Sequence, residues 1–103
     1  MSDITRECAV MVARILEGGG EASREQRRAA FLNEGVEASL HDVVNKICER
    51  AGEVTDGDIA ALRAAGFSED QLFEIAVCAA VGQATRQWHS ALEALDVVGG
   101  GKD

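Results

Sequence analysis

The sequence predicts an all-α protein, a small antiparallel helical bundle with one long C-terminal helix. Three observations carry that prediction. Proline is absent from all 103 residues and aromatic residues make up only 4%, so the chain lacks the strongest helix breaker and is poor in strand-favouring rings. Apolar residues recur at intervals of three and four in five separate stretches, the spacing of a helix face. Between those stretches stand glycine, serine and threonine, the residue types that stop and start helices.

The first helix is expected from Thr5 to Glu17, with Cys8, Val12, Ile15 and Leu16 at helical spacing and Val10, Met11 and Ala13 filling in; the triplet Gly18-Gly19-Gly20 ends it. Ser23 and Gln26 then have capping-box spacing, and the helix they open runs to a stop at Gly35. Arg24, Arg27 and Arg28 make this the basic spot of the chain. They read as a solvated face beside Glu21 and Glu25, with an acidic partner or a carboxylate ligand as the alternative. A third helix, from Val36 or Ser39 to Arg50, turns Leu40, Val43, Val44, Ile47, Cys48 and Ala51 inward and closes at Gly52. Thr55 caps a short fourth helix, Asp56 to Ala65, whose Ile59, Ala60, Leu62 and Ala65 are its inward set. Gly66 is placed as a left-handed cap, Phe67 as the hydrophobic anchor beyond it, and Ser68 as the N-cap of the last helix.

That last helix, Ser68 to Leu95, is about 27 residues and roughly 40 Å long. Phe73, Val77, Val81, Ala84, Trp88, Leu92 and Leu95 fall on one arc, expected to be its core face. The opposite side, with Ala76, Ala79 and Ala80, carries few charges, so the first half is apolar nearly all round and is expected to be packed on both sides. A chain this short hardly wraps such a helix alone, which points to assembly. One domain over residues 1–98 and a flexible glycine-rich tail, GGGKD, over residues 99–103 complete the organisation.

The net charge is −8, unfavourable for a phosphate backbone, so nucleic acid is not an expected partner. The second half, from Glu53 onward, holds nine acidic groups against Arg63, Arg86 and Lys102; solubility explains this more simply than steering of a cationic partner. Cys8, Cys48 and Cys78 are odd in number and widely spaced among apolar neighbours, a pattern that suggests neither a disulfide framework nor a metal site. The opening MSDITREC has no basic region leading into an apolar run, and the apolar stretch from Leu72 to Ala84 is broken by Glu74 and too short for a bilayer. The expectation is a cytoplasmic protein without membrane, metal or cofactor.

The segment VTDGDIAALRAAGFSEDQLFEIAVCAAVGQATRQWHSAL, Val54 to Leu92, resembles the alkylhydroperoxidase D-like and carboxymuconolactone decarboxylase superfamily. The likeness lies in the short helix ending at an alanine-glycine corner, AAGFSEDQ, and in the alanine-rich helix that begins LFEI. The resemblance implies an all-α fold, a symmetric homo-oligomer often built through these long helices, and peroxide reduction or decarboxylation of a small lactone acid. The family's peroxidase branch uses a Cys-x-x-Cys pair, a nearby histidine and a glutamate. Here that relay is missing: with Glu74 on the family glutamate, the cysteine positions fall near Arg86 and His89 and the histidine near Glu93. In a second alignment the segment matches the closing part of longer members, beyond their redox motif.

Candidate site residues follow. Glu74 sits at the edge of the apolar arc, with Cys78 one turn on and Thr85 and His89 further along the stripe. A partly buried Glu74 carboxylate would serve as a general base, with Arg86 or His89 binding an anionic substrate. Glu74 and His89 are about 22 Å apart along one helix, so a shared site requires a second chain. The simpler reading has Glu74 bonding an arginine or a helix terminus in the interior. Cys78 would be a lone peroxidatic thiolate if Arg14 or Arg63 lowered its pKa, and a small hydrophobe otherwise. The leading expectation is a non-redox protein that serves as a binding or assembly subunit, with a separate enzyme as one partner class. Its alternative is a cofactor-free decarboxylase or isomerase using Glu74; a one-cysteine peroxidase through Cys78 comes third.

Overall fold

The computed structural model describes residues 2–100, and side-chain surroundings over residues 6–96. All regular structure among the described residues is helical. Helix α1 spans Ser2–Glu17, α2 Arg24–Leu32, α3 Ala38–Arg50, α4 Asp56–Ala64 and α5 Glu69–Gly100, with a 3-10 turn at Ala51–Glu53.

Local chemistry sets most of these limits. Ser23 and Gln26 bond reciprocally at the start of α2, Thr55 and Asp58 at the start of α4, and Ser68 and Gln71 at the start of α5. Each pair satisfies amides that a helix start leaves without partners. α4 ends as its sequence suggests: Gly66 is left-handed at φ 109°, its N–H reaches the Arg63 carbonyl, and the Phe67 N–H reaches that of Leu62. α2 stops earlier than Gly35, because Asn33 takes the left-handed conformation at φ 52° and the same paired bonds close the helix there. Asparagine tolerates that region better than other side chains, so the glycine is not needed for the stop. α5 runs to Gly100, two residues into the stretch expected as tail; residues 101–103 lie outside the described residues.

The core is formed by Leu40, Val43, Val44 and Cys48 of α3, by Leu62 of α4, by Ala22 and Ala30 at α2, and by Leu72, Ile75, Cys78 and Ala79 of α5. The inner face of α3 is as expected, although Ala51 is exposed. α1 and α4 are covered less than their patterns suggest: Cys8, Val10, Met11 and Ala13 are exposed on α1, and on α4 only Leu62 is buried.

The core face of α5 is not the expected arc. Phe73 is 69% exposed, Trp88 48% and Leu95 68%, and Ala84 and Leu92 are exposed as well; Val77 and Val81 are half-buried. The buried face is Leu72, Ile75, Cys78, Ala79 and Gly82. Its small residues are the reason. A Cβ on Gly82 would lie 1.9 Å from the Phe31 carbonyl oxygen, so the backbone of α2 rests on α5 where a side chain is missing. The large residues point elsewhere.

α2 is the main partner of α5 and runs in the same sense along it, since residues 21 and 22 meet Glu74 while Phe31 meets Gly82 and Arg86. This pair therefore departs from the antiparallel expectation: α2 is followed by α3, not by α5, and its direction is set by those contacts. The protein measures 57 × 28 × 21 Å, the long axis being that of the 32-residue α5. Every side chain from Gln87 to Asp96 is exposed.

Candidate functional site

The glycine triplet after α1 brings the chain against α5. A Cβ on Gly20 would lie 2.2 Å from Glu74 Oε1, and its absence lets the Glu74 carboxylate accept from the Glu21 N–H at 2.9 Å and the Ala22 N–H at 3.1 Å. At the far end of α2, Arg86 Nη1 donates to the Phe31 carbonyl at 2.5 Å, while Nη2 donates to Gln83 Oε1 at 3.0 Å and lies 3.7 Å from Cys48 Sγ. A carboxylate thus sits at the N-terminal end of α2 and a guanidinium at its C-terminal end, the signs that complement a helix dipole. α5 holds α2 by both ends.

Beside Glu74 a cleft of about 190 Å³ opens between α1, α2 and α5, lined by Arg14, Ile15, Gly19, Arg27, Phe73, Glu74, Val77 and Cys78. Arg27 is only 5% exposed. Its Nη1 donates to the Ile15 carbonyl at 3.0 Å, one of the carbonyls left open in the last turn of α1. Its Nε is buried without a hydrogen-bond partner. Cys78 Sγ lies 4.0 Å from the same Ile15 carbonyl. Burial pushes the Cys78 thiol up, the Arg27 charge pulls it down, and the Glu74 charge raises it again; the net direction is upward, toward a protonated thiol. Cys48 is also raised, by burial, against the opposing effect of Arg86.

Of the four residues singled out from sequence, the fold brings Glu74 and Cys78 to one cleft and leaves the other two out of it. Arg86 is committed to the end of α2. His89 is on the uncovered half of α5, exposed. Arg63 pairs with Glu69 at 3.0 Å, whereas Arg14 does line the cleft near Cys78. The arginine nearest in effect to Cys78 is Arg27, which the sequence reading placed on a solvated face with Arg24 and Arg28. Only those two behave that way, exposed and paired with Glu17. Helical spacing held the signal: the register that turns Ala30 inward turns Arg27 inward with it.

All three cysteines are free, Cys8 exposed and the other two buried. Among the described residues no group of three or more His, Cys, Asp or Glu is placed to hold a metal ion, and no helix is long and apolar enough to cross a membrane. Compared with protein-family models, curated proteins and solved structures, the chain has no match among any of them.

Proposed function

We propose that the protein is a non-redox assembly subunit of alkylhydroperoxidase D-like type that pairs with a second copy of itself through α5. The observation that carries this reading is the exposure of the apolar arc, above all Trp88, Leu92 and Leu95 on a helix half that nothing covers. Contiguous apolar surface of this kind marks interaction sites. The arc is also self-complementary. Laid antiparallel on a copy about the point midway between Ala84 and Thr85, Val81 meets Trp88 and Val77 meets Leu92, with Phe73 within one residue of Leu95, so the valines face larger side chains over about 33 Å of helix. Antiparallel pairing opposes the two helix dipoles favourably.

The buried thiol and the Glu74 carboxylate, whose two oxygens each hold a backbone N–H, support a structural use of the residues that a redox or proton-transfer enzyme would employ. A separate enzyme partner would dock on the assembled pair.

The test is native mass by sedimentation from about 1 to 100 µM, the range in which weak self-association is read, beside emission of Trp88, the single tryptophan. Expected are a concentration-dependent dimer and a blue shift as Trp88 is covered. Trp88→Glu should leave helicity unchanged and keep the chain monomeric. A wild-type monomer with constant, solvent-exposed emission over the whole range would sink the reading.

A further inference from the structure

We propose that the cleft between α1, α2 and α5 binds a small apolar monocarboxylate, its carboxylate on Arg27 and Arg14 and its tail against Ile15, Val77 and Phe73. The cleft lies within one chain, and it shares Phe73 and Val77 with the arc proposed for pairing through α5.

The argument begins with Arg27. A guanidinium taken out of water is costly unless an opposite charge accompanies it. Arg27 is 5% exposed, yet it has only the neutral Ile15 carbonyl on Nη1, and its Nε has no partner. Among the described residues neither Arg27 nor Arg14 has a carboxylate within ion-pair distance. The carboxylate that lines the same cleft, Glu74, has turned both oxygens to the Glu21 and Ala22 amides instead. With Nη1 occupied, the Nε–Nη2 edge remains to form a two-bond fork with a carboxylate, and because Nε is covered the ligand reaches both atoms only as the wall of the cleft yields around it.

Charge and shape narrow the ligand. Two guanidiniums and one carboxylate line the cleft, leaving one positive charge, which a monoanion neutralises and a dianion would exceed. Ile15, Val77, Phe73 and Cys78 make the rest of the wall apolar. A volume of about 190 Å³ is below the roughly 300 Å³ at which pockets for drug-sized ligands begin, so a short-chain or single-ring acid is the fitting size. Arg14, Gly19 and Phe73 are exposed and leave the mouth open to solvent.

The test is a titration of the full chain with sodium benzoate, followed by backbone amide NMR, with benzamide as the neutral isostere. Benzoate should give saturable shifts at the Gly19, Glu74 and Cys78 amides, and benzamide should bind at least about tenfold more weakly. Arg27→Lys keeps the charge but loses the fork, and should weaken benzoate about tenfold. Should that variant not fold, Arg14→Gln, at an exposed position, decides the matter by weakening benzoate at least about threefold. Absence of saturable shifts in the cleft, equal response to benzamide, or unchanged affinity in Arg14→Gln would overturn the proposal. Trp88→Glu, which leaves Phe73 and Val77 uncovered by a second copy, should bind benzoate at least as tightly as the wild type; loss of binding there with the fold intact would also overturn the proposal, because the site lies within one chain.

Discussion

The first half of α5 is richer in apolar residues than the second, and the two have opposite fates. From Leu72 to Arg86 one face of the helix is covered by α2 and α3, whereas from Gln87 to Asp96 every side chain meets solvent. Apolar content alone does not decide burial, since Phe73 in the first half is 69% exposed and the second half still holds Trp88, Leu92 and Leu95. The halves also differ in where a neighbouring backbone can be seated. The enclosed half offers Cys78, Ala79 and Gly82 in one line, and the Phe31 carbonyl rests on Gly82. It also carries the two polar groups, Glu74 and Arg86, that hold the ends of α2. Burial on a helix follows close approach and polar satisfaction as much as hydrophobicity.

The sharpest way to break this comparison is to fill the seat. Gly82→Val would place side-chain atoms where the Phe31 carbonyl lies, and backbone cannot yield as a flexible side chain does. The expected loss is about 3 kcal/mol or more in urea unfolding, while Ala91→Val in the exposed half stays within about 0.5 kcal/mol. Equal small losses at the two sites would mean that the halves are not differently packed.

Polar contacts give the next effect. Glu74→Ala leaves the Glu21 and Ala22 amides without their acceptor and should cost about 2 kcal/mol, since bonds to a charged group are the stronger kind. Glu74→Gln, which keeps one acceptor, should cost less. Glu93→Ala, on the uncovered half, should be neutral within about 0.5 kcal/mol by the same measurement. A Glu74→Ala protein as stable as the wild type would remove the carboxylate from the clamp on α2.

The smallest effect sharpens the comparison through the thiols. Cys8 is exposed and should react first with a thiol reagent, while Cys78 and Cys48 remain protected near neutral pH. Both buried thiols have pKa values raised by burial. A raised value in the fold means the folded state holds the proton more tightly. Their contribution to stability is therefore complete below the ordinary thiol pKa of about 8.5 and is lost as pH rises through the raised value. Unfolding midpoints should fall on that alkaline side, and a Cys78→Ala, Cys48→Ala pair should flatten the fall. Fast labelling of Cys78 at neutral pH would show that α1 does not enclose it.

Much of the fold was legible because it rests on neighbours in sequence. Ser23 with Gln26, Thr55, Ser68 and the Gly66-Phe67 corner act within a turn of their own position, and the structure places them as their spacing suggests. The inner face of α3 was legible for the same reason: its large apolar residues lie on a single stripe. The cleft was only half legible. Glu74 was identifiable as a carboxylate near an apolar surface, and the helix terminus it serves was among its readings, but the partner lay more than fifty residues away at Glu21 and Ala22. Arg27 was hidden by its company, since Arg24 and Arg28 on either side are solvated.

By itself the sequence determined the helical class, the capped starts of α2, α4 and α5, the glycine ends of α1 and α4 and the inner face of α3, because short-range bonds and periodicity need no knowledge of the rest of the chain. Only the tertiary structure decided which side of α5 is buried, that α2 lies along it in the same sense, and that Arg27 is enclosed beside an open cleft. Those outcomes depend on distances between segments far apart in the chain. Gly82 can admit a carbonyl there, and Gly20 a carboxylate, without leaving any trace in hydrophobic periodicity.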